Sequence, residues 1–266
     1  MFGCGCGKEV RHHAAHLCGL ILFKMERTCV IIPTYNNERT LAGVIRSVRS
    51  VCEDVMVIND GSTDSTSQII KEFGDSIIAI EYSPNRGKGH ALKTAFRESV
   101  RRGYTYAITM DSDGQHLAED LAAFEQEIQQ HPDSLLVGSR GMDHPNMPQQ
   151  NTFANKFSNF WFTVQTAHRL PDTQSGYRLY PLRKMGKMHL FTNRYETELE
   201  VLVRSAWRGI RLVPVPIHVY YPPMEERVSH FRPNVDFFRI SVLNTIFCLL
   251  AIIYGYPSML FHKIFH

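Results

Sequence analysis

The sequence is short of several features that would place it quickly. It has six cysteines in 266 residues, at positions 4, 6, 18, 29, 52 and 248. Three fall in the first 18 residues and the others sit singly inside apolar segments. There is no disulfide framework, so the chain reads as one for a reducing compartment. The formal net charge is +3, too small to support bulk nucleic-acid binding, and no nucleic-acid partner is expected. The P-loop spacing GxxxxGK(S/T) is absent, and so is the GxGxxG dinucleotide fingerprint. No internal repeat or low-complexity linker divides the chain. The N-terminal "CGCGKEVRHHAAHLC" mixes Cys and His at no common zinc spacing. Residues 1–24 are read as a tail, and the domain is expected to start at Met25 and run to residue 232.

An uninterrupted apolar run of the roughly 20 residues that a membrane span needs is also missing. Residues 240–261, "ISVLNTIFCLLAIIYGYPSMLF", carry no charge, but Gly255 and Pro257 are expected to break them. The unbroken part, roughly 14 residues, covers about 21 Å, short of a hydrocarbon core of about 30 Å. Residues 233–266 are therefore predicted to form an interfacial or re-entrant helical segment on the membrane rather than a span. Arg227, Arg232 and Arg239 would meet lipid headgroups. A buried core or dimer helix is the plainer alternative.

What is present is alternation. "TCVIIPTY", "DVMVIND", "SIIAIEYS", "YAITM" and "SLLVGSR" are short apolar runs that end in turn residues, and each reads as a buried strand. Between them, "ERTLAGVIRSVRSV", "STDSTSQIIKEFG", "GKGHALKTAFRESVRRG" and "AEDLAAFEQEIQQH" carry apolar residues at helical spacing. Strands alternating with such helices predict an α/β fold with a mainly parallel sheet. Beyond residue 141 come a loop, an aromatic-rich helix over "NTFANKFSNFWFTVQTAHRL", and a polar loop "PDTQSGYRLYP" leading to a short strand. A helix over "TELEVLVRSAWRG" follows, and then "IRLVPVPIHVYY", whose Pro214 and Pro216 make it an edge strand.

Ligands of such folds bind beyond the carboxyl ends of the strands. Those ends are Pro33–Glu38, Asp60–Asp64, Asn85–Gly89, Asp111–Gln115, and Ser139 with Arg140. All five are polar, which argues for one site. If "MDSDGQH" continues its strand, Asp111 and Asp113 point the same way and converge on one point. Two carboxylates there suit a hard divalent cation, Mg²⁺ or Mn²⁺, whose remaining ligands are water and substrate phosphates. The plain alternative is an Asp-Gly turn with Asp113 and Gly114 at its tip. Asp60 could accept bonds from a base or ribose, or cap the following helix. Asn85-Arg86-Gly87-Lys88-Gly89 joins two cations to two glycines before a helix, an arrangement that lets backbone approach a phosphate. Basic residues also recur over Arg97–Arg102, where a solvated face is preferred for Arg101 and Arg102.

"VIIPTYNNE", "VINDGSTDST", "NRGKGHALKTAF", "MDSDGQH" and "GSR" occur in an order and spacing that resemble the inverting family 2 glycosyltransferases of GT-A fold. "DTQSGYRLY" and "YETELEVLVRSAWRG" resemble the dolichyl- or polyprenyl-phosphate sugar transferases in particular, over roughly residues 27–232. The resemblance implies that Pro33, Tyr35, Glu38 and Asp60 line a nucleoside pocket and that Lys88 lies near the diphosphate. It implies that Asp111, Asp113 and Gln115 hold the metal, and that Ser139 and Arg140 face the sugar or acceptor phosphate. Gln174, Ser175, Tyr177 and Arg178 would approach that acceptor phosphate. Ser112 stands where many relatives carry Ala. The QxxRW signature of processive synthases is missing, with "QSGYR" near its place, which weakens a polymerase reading.

The acceptor sets the mechanism. A lipid monophosphate is already an anion and needs alignment and charge quenching, for which Arg140, Arg178 and the metal are suited. A sugar hydroxyl needs a carboxylate base, with Asp172 the first candidate and Glu196 the second. Asp172 could equally be a loop cap after Pro171. The expected catalytic set is thus Asp113, Arg140, Asp172 and Arg178. The expected activity is hexosyl transfer from a nucleotide-sugar to a polyprenyl phosphate at the cytoplasmic face of a membrane. Transfer to a glycan or glycolipid hydroxyl is the first rival. A non-catalytic nucleotide-sugar-binding partner is the second.

Overall fold

The chain is described by a computed structural model covering residues 27–140, 149–186, 188–221 and 233–265. The expected N-terminal tail, the expected loop at 141–148 and two of the basic residues before the last helix, Arg227 and Arg232, lie outside the described residues. The strands are β1 (Thr28–Thr34), β2 (Val55–Asp60), β3 (Ile78–Tyr82), β4 (Tyr106–Thr109), β5 (Leu135–Arg140), β6 (Arg178–Pro181) and β7 (Leu212–Ile217). They form one sheet in the order β3-β2-β1-β4-β6-β5-β7. All neighbours run parallel except β6, which is antiparallel to both β4 and β5.

β1 is buried along its whole length, as expected of a parallel strand covered on both faces. Its alternate residues serve two layers. Val30 and Ile32 pack with Leu41, Val44, Ile45 and Val48 of helix α1 (Leu41–Arg49), Ile70 of α2 (Thr66–Phe73) and Phe124 of α4 (Leu121–Gln130). Cys29 and Ile31 face the other way, onto Ala91 and Ala95 of α3 (Lys88–Arg101). On that second face, beyond β4, Leu135, Val137 and Tyr180 pack with Phe162 of α5 (Gln149–Thr166) and with α7 (Glu196–Trp207). A short helix α6 (Leu182–Met185) closes the gap between them. Cys29, Cys52 and Cys248 are free thiols. β7 is the edge strand that its prolines predict, with Pro214 and Pro216 on the exposed face.

The antiparallel β6 matters most for the site. Its first residue, Arg178, pairs with Thr109 at the end of β4. A strand that runs against its neighbours starts where they finish, so residues 172–177 are delivered to the carboxyl ends of β4 and β5.

The C-terminal segment corrects one expectation. Helices α8 (Pro233–Leu250) and α9 (Tyr256–Phe265) are joined without a break by a π-turn over Ala251–Gly255. The wide turn gives the ring of Pro257 room that an ordinary turn would not. The resulting helix, Val235–Phe265, has 31 residues, and its most apolar stretch has a mean hydropathy of 2.0, long and apolar enough to cross a membrane. At 1.5 Å per residue it measures about 46 Å. Gly255 and Pro257 therefore do not shorten it below the span length. Only 17% of its most apolar stretch is buried against the rest of the protein. The buried side docks on α5 and α7: Gln165 Nε2 donates to Asn244 Oδ1 at 2.8 Å and Ser258 Oγ to the Trp207 carbonyl at 2.7 Å. A side chain at Gly255 would place its Cβ 2.4 Å from Trp207 Nε1.

Candidate active site

The ends of β1 to β4 meet at one edge of the sheet and bond one another, and the end of β5 bonds the loop before β6. Asn37, after β1, donates from Nδ2 to Ser112 Oγ at 2.8 Å, and Thr40 Oγ1 donates to the Ser112 carbonyl at 2.6 Å. Glu38 is exposed and its Oε2 accepts from the Ser65 amide at 2.9 Å, while Asp64 Oδ1 accepts from Thr66 N at the start of α2. Pro33 is buried within β1, and Tyr35 is half-buried just beyond it.

Asp60 ends β2, buried, and organises its neighbour loop. Its carboxylate accepts from Asn85 Nδ2 at 2.9 Å, Arg86 N at 2.8 Å and Gly87 N at 2.7 Å. It does not cap the helix that follows. Gly61 lets the two loops touch, since a Cβ there would lie 2.6 Å from Asn85 N. Fixing residues 85–87 sets the start of α3 and hence Lys88.

Lys88 Nζ sits 2.6 Å from Asp111 Oδ1 and 3.0 Å from Glu198 Oε1. Burial would discharge the amine, but the two carboxylates outweigh it and hold Lys88 protonated. Burial likewise opposes ionisation of Asp111, and Lys88 with His116 overcomes this to keep its pKa low. Asp113 has no such partner. Burial and the charge of Asp111 push its pKa up to about 6. The segment is not extended as expected, because β4 ends at Thr109 and residues 112–113 turn. Asp113 Oδ1 accepts from Gln115 N at 3.0 Å, and Gly114 takes φ 76°. The Asp-Gly turn is therefore present, and it leaves Asp113 close enough to feel the charge of Asp111. Gln115 is half-buried on the far side of it, and its carbonyl accepts from Tyr220 N.

Asp172 and Arg140 form a bidentate ion pair, Nε–Oδ2 2.6 Å and Nη2–Oδ1 3.0 Å. The Asp172 carboxylate also accepts from the amides of Gln174 and Ser175. Burial would raise its pKa, but Arg140 holds it low, so Asp172 is a poor proton acceptor and an effective anchor for the loop. Ser139 is half-buried beside Arg140, and Gln174 is exposed.

Two residues expected at the acceptor phosphate turn away from it. Arg178 is fully buried and spends its guanidinium on three backbone carbonyls: Ser175 at 2.7 Å, Glu198 at 2.7 Å and Thr173 at 2.9 Å. Tyr177 is fully buried too, its ring packed against Phe124 and His116. Both frame the loop that carries Gln174 and Ser175. Arg101 and Arg102 pair with Glu98 on a solvated face, as expected.

Sequence reasoning missed Gly176 and Glu198. A Cβ at Gly176 would lie 2.6 Å from Asp111 Oδ2, so only glycine lets the segment leading into β6 approach that carboxylate. Its signal was the glycine inside "QSGYR". Glu198 had a fainter one, since it shares the start of α7 with two other acids, Glu196 and Glu200.

No group of three or more His, Cys, Asp or Glu side chains is assembled for a metal among the described residues. A hard divalent ion that also binds phosphates needs only one or two protein carboxylates. Asp111 and Asp113 fit that demand, since Asp113 is a half-buried carboxylate left short of positive charge.

A mainly parallel sheet with this polar edge is the GT-A nucleotide-sugar fold. The chain belongs to glycosyl transferase family 2, whose profile matches residues 29–184, and it is a glycosyltransferase. It is 29% identical over 213 residues to UDP-N-acetylglucosamine–dolichyl-phosphate N-acetylglucosaminyltransferase of Methanococcus voltae, covering 72% of this chain and 85% of that one. It is 29% identical over 204 residues to polyprenol monophosphomannose synthase of Mycolicibacterium smegmatis, covering 72% and 77%. Its fold matches glucosyl-3-phosphoglycerate synthase from Mycobacterium tuberculosis, solved with Mn²⁺, UDP-glucose and phosphoglyceric acid. That match has TM-score 0.60 and 17% identity, over 84% of this chain and 79% of that one.

Proposed function

We propose that this protein transfers a hexose, with inversion, from a nucleotide-sugar to a polyprenyl phosphate of the dolichyl type, with a divalent cation, Mg²⁺ or Mn²⁺. The observation that carries this reading is the half-buried carboxylate pair Asp111–Asp113 just beyond the end of the central strand, with only Asp111 neutralised by Lys88. The relatives support the acceptor, because one acts on dolichyl phosphate and another makes a polyprenol monophosphomannose. Bound at Asp111 and Asp113, the cation would neutralise the diphosphate leaving group. Lys88 reaches the same diphosphate. Pro33, Tyr35 and Glu38 lie toward the nucleoside, and Asp60 acts by shaping the loop at 85–87. Arg140, held by Asp172, keeps its remaining guanidinium donors for the acceptor phosphate, with Ser139, Gln174 and Ser175 beside it. An acceptor that is already an anion needs no base, which suits a site whose Asp172 is held ionised.

The apolar Val235–Phe265 helix supports a lipid-linked acceptor and membrane association; the protein is proposed to work on, or anchored in, the cytoplasmic face. Residues 25–232 would form the catalytic domain and 233–266 its membrane segment.

One observation favours a second reading, transfer to a sugar hydroxyl. Glu196 Oε2 is buried with no hydrogen-bond partner among the described residues, and it could serve as the base.

The test is transfer from a panel of radiolabelled nucleotide-sugars to polyprenyl phosphate, with Mn²⁺ or Mg²⁺ and with a chelator. Metal-dependent label in the lipid phase is expected, and it names the donor. Metal-dependent donor hydrolysis without a lipid product would move the acceptor to a hydroxyl. Full transfer in the chelator would overturn the cation.

A further inference from the structure

Lys88 lies between two carboxylates, and only one of them belongs to the proposed cation site. The side chains of Lys88, Asp111 and Glu198 are 18%, 28% and 14% exposed, so the ammonium is counter-ion to a largely desolvated pair. An ammonium 2.6 Å from Asp111 Oδ1 competes with a divalent ion for that carboxylate, because the two positive charges repel. A cation that takes Oδ1 displaces Lys88 from it. A buried ammonium with nowhere to go would make that exchange costly.

The surrounding backbone is built so that only the lysine stem need move. The start of α3 is fixed from one side by the bond from Gly87 N to Asp60. It is fixed from the other by the bond from His90 N to the Asn193 carbonyl at 2.9 Å. At Gly89 a Cβ would lie 1.8 Å from Thr197 Oγ1, so α3 and α7 meet without a side chain between them. Arg178 Nη1 fixes the Glu198 carbonyl at 2.7 Å.

We infer that Glu198 is a positioning residue: it berths the Lys88 ammonium beside Asp111, so that Lys88 yields Asp111 to a divalent cation and turns to the donor diphosphate while remaining paired. This rests on the cation reading given above. In the free protein Lys88 competes with the cation for Asp111, and Glu198 weakens Lys88 as a competitor.

The experiment is Mn²⁺ binding to the full chain without nucleotide, read from the EPR signal of free Mn²⁺. Lys88→Met is expected to bind Mn²⁺ about tenfold more tightly than wild type, since a positive charge beside the site is removed. Lys88→Gln, which keeps a hydrogen-bond donor between the carboxylates, should do the same and serves if the methionine variant misfolds. Glu198→Gln should weaken binding by roughly threefold to tenfold, and by less than about twofold in the Lys88→Met background. A Glu198→Gln effect of equal size in both backgrounds would be plain charge and would overturn the berth. Unchanged affinity on replacing Lys88, with affinity lost in Asp113→Asn, would overturn the exchange but leave the cation standing. Absence of Mn²⁺ binding in every form would overturn both.

Discussion

At the strand ends the protein buries charge. Lys88, Asp111, Asp172 and Arg178 are buried or half-buried, and each is tied to named atoms. Along Val235–Phe265 it does the reverse and leaves Phe237, Phe238, Leu249, Ile252, Ile253, Leu260 and Phe265 in the open. Both regions break the ordinary inside–outside rule, the first facing the proposed cation and donor, the second the proposed membrane. They differ in how the partner is specified. Charge is read by direction and distance, so single atoms decide the cleft. Apolar burial is read by area and has no direction, so many residues share the helix's task.

That contrast can be broken by mutation. The largest effect is expected from Asp113→Ala, about a 10³-fold loss of label transfer to lipid, with the melting temperature shifted by no more than a few degrees. Retained transfer would remove the carboxylate pair from the chemistry. Gly176→Ala should follow, with turnover down about 10²-fold, since an ångström of displacement at Asp111 costs that much. Unchanged far-UV circular dichroism would show that the loss is local. On the helix, Ile252→Lys alone should alter little, but Ile252→Lys with Ile253→Lys should cut membrane recovery by roughly tenfold. Transfer to a short water-soluble acceptor should persist in that double variant. Gly255→Ala tests the helix's docked side, where forcing a Cβ against Trp207 is expected to cost about 1–3 kcal/mol in a denaturant titration.

The smallest effect is a pH dependence. Burial and Asp111 lift Asp113 from its ordinary 3.8 to about 6, so the native state holds that proton more tightly than the unfolded chain. The contribution is fully present below about pH 4 and is lost as pH rises through about 6. Asparagine does not titrate. Melts in chelator should show Asp113→Asn gaining about 2–4 °C over wild type at pH 8, with the gain gone at pH 4. A gain independent of pH would mean that repulsion from Asp111 is not its source.

Much of the site was legible because each strand end is local. Pro33–Glu38, Asp60–Asp64, Asn85–Gly89 and Asp111–Gln115 announce themselves where an apolar run stops. The sharp errors lie where a long-range partner decides. "DTQSGYRLY" looks uniformly polar, yet Gln174 faces solvent while Arg178 and Tyr177 are sealed inside. Asp172 resembles a free base until Arg140, 32 residues away, claims both its oxygens. Pro257 looks like a helix breaker because nothing in the sequence shows the π-turn that accommodates it.

By itself, then, the sequence determined the alternating α/β order, the polar strand ends and the uncharged C-terminal run, because these rest on hydrophobic period and local turn chemistry. Only the tertiary structure decided that β6 enters the sheet in reverse and brings Gly176 against Asp111. It likewise decided that Glu198 reaches Lys88 and that the last helix runs unbroken. Each of these depends on which distant atom occupies the space beside a residue, and one-dimensional spacing does not carry that information.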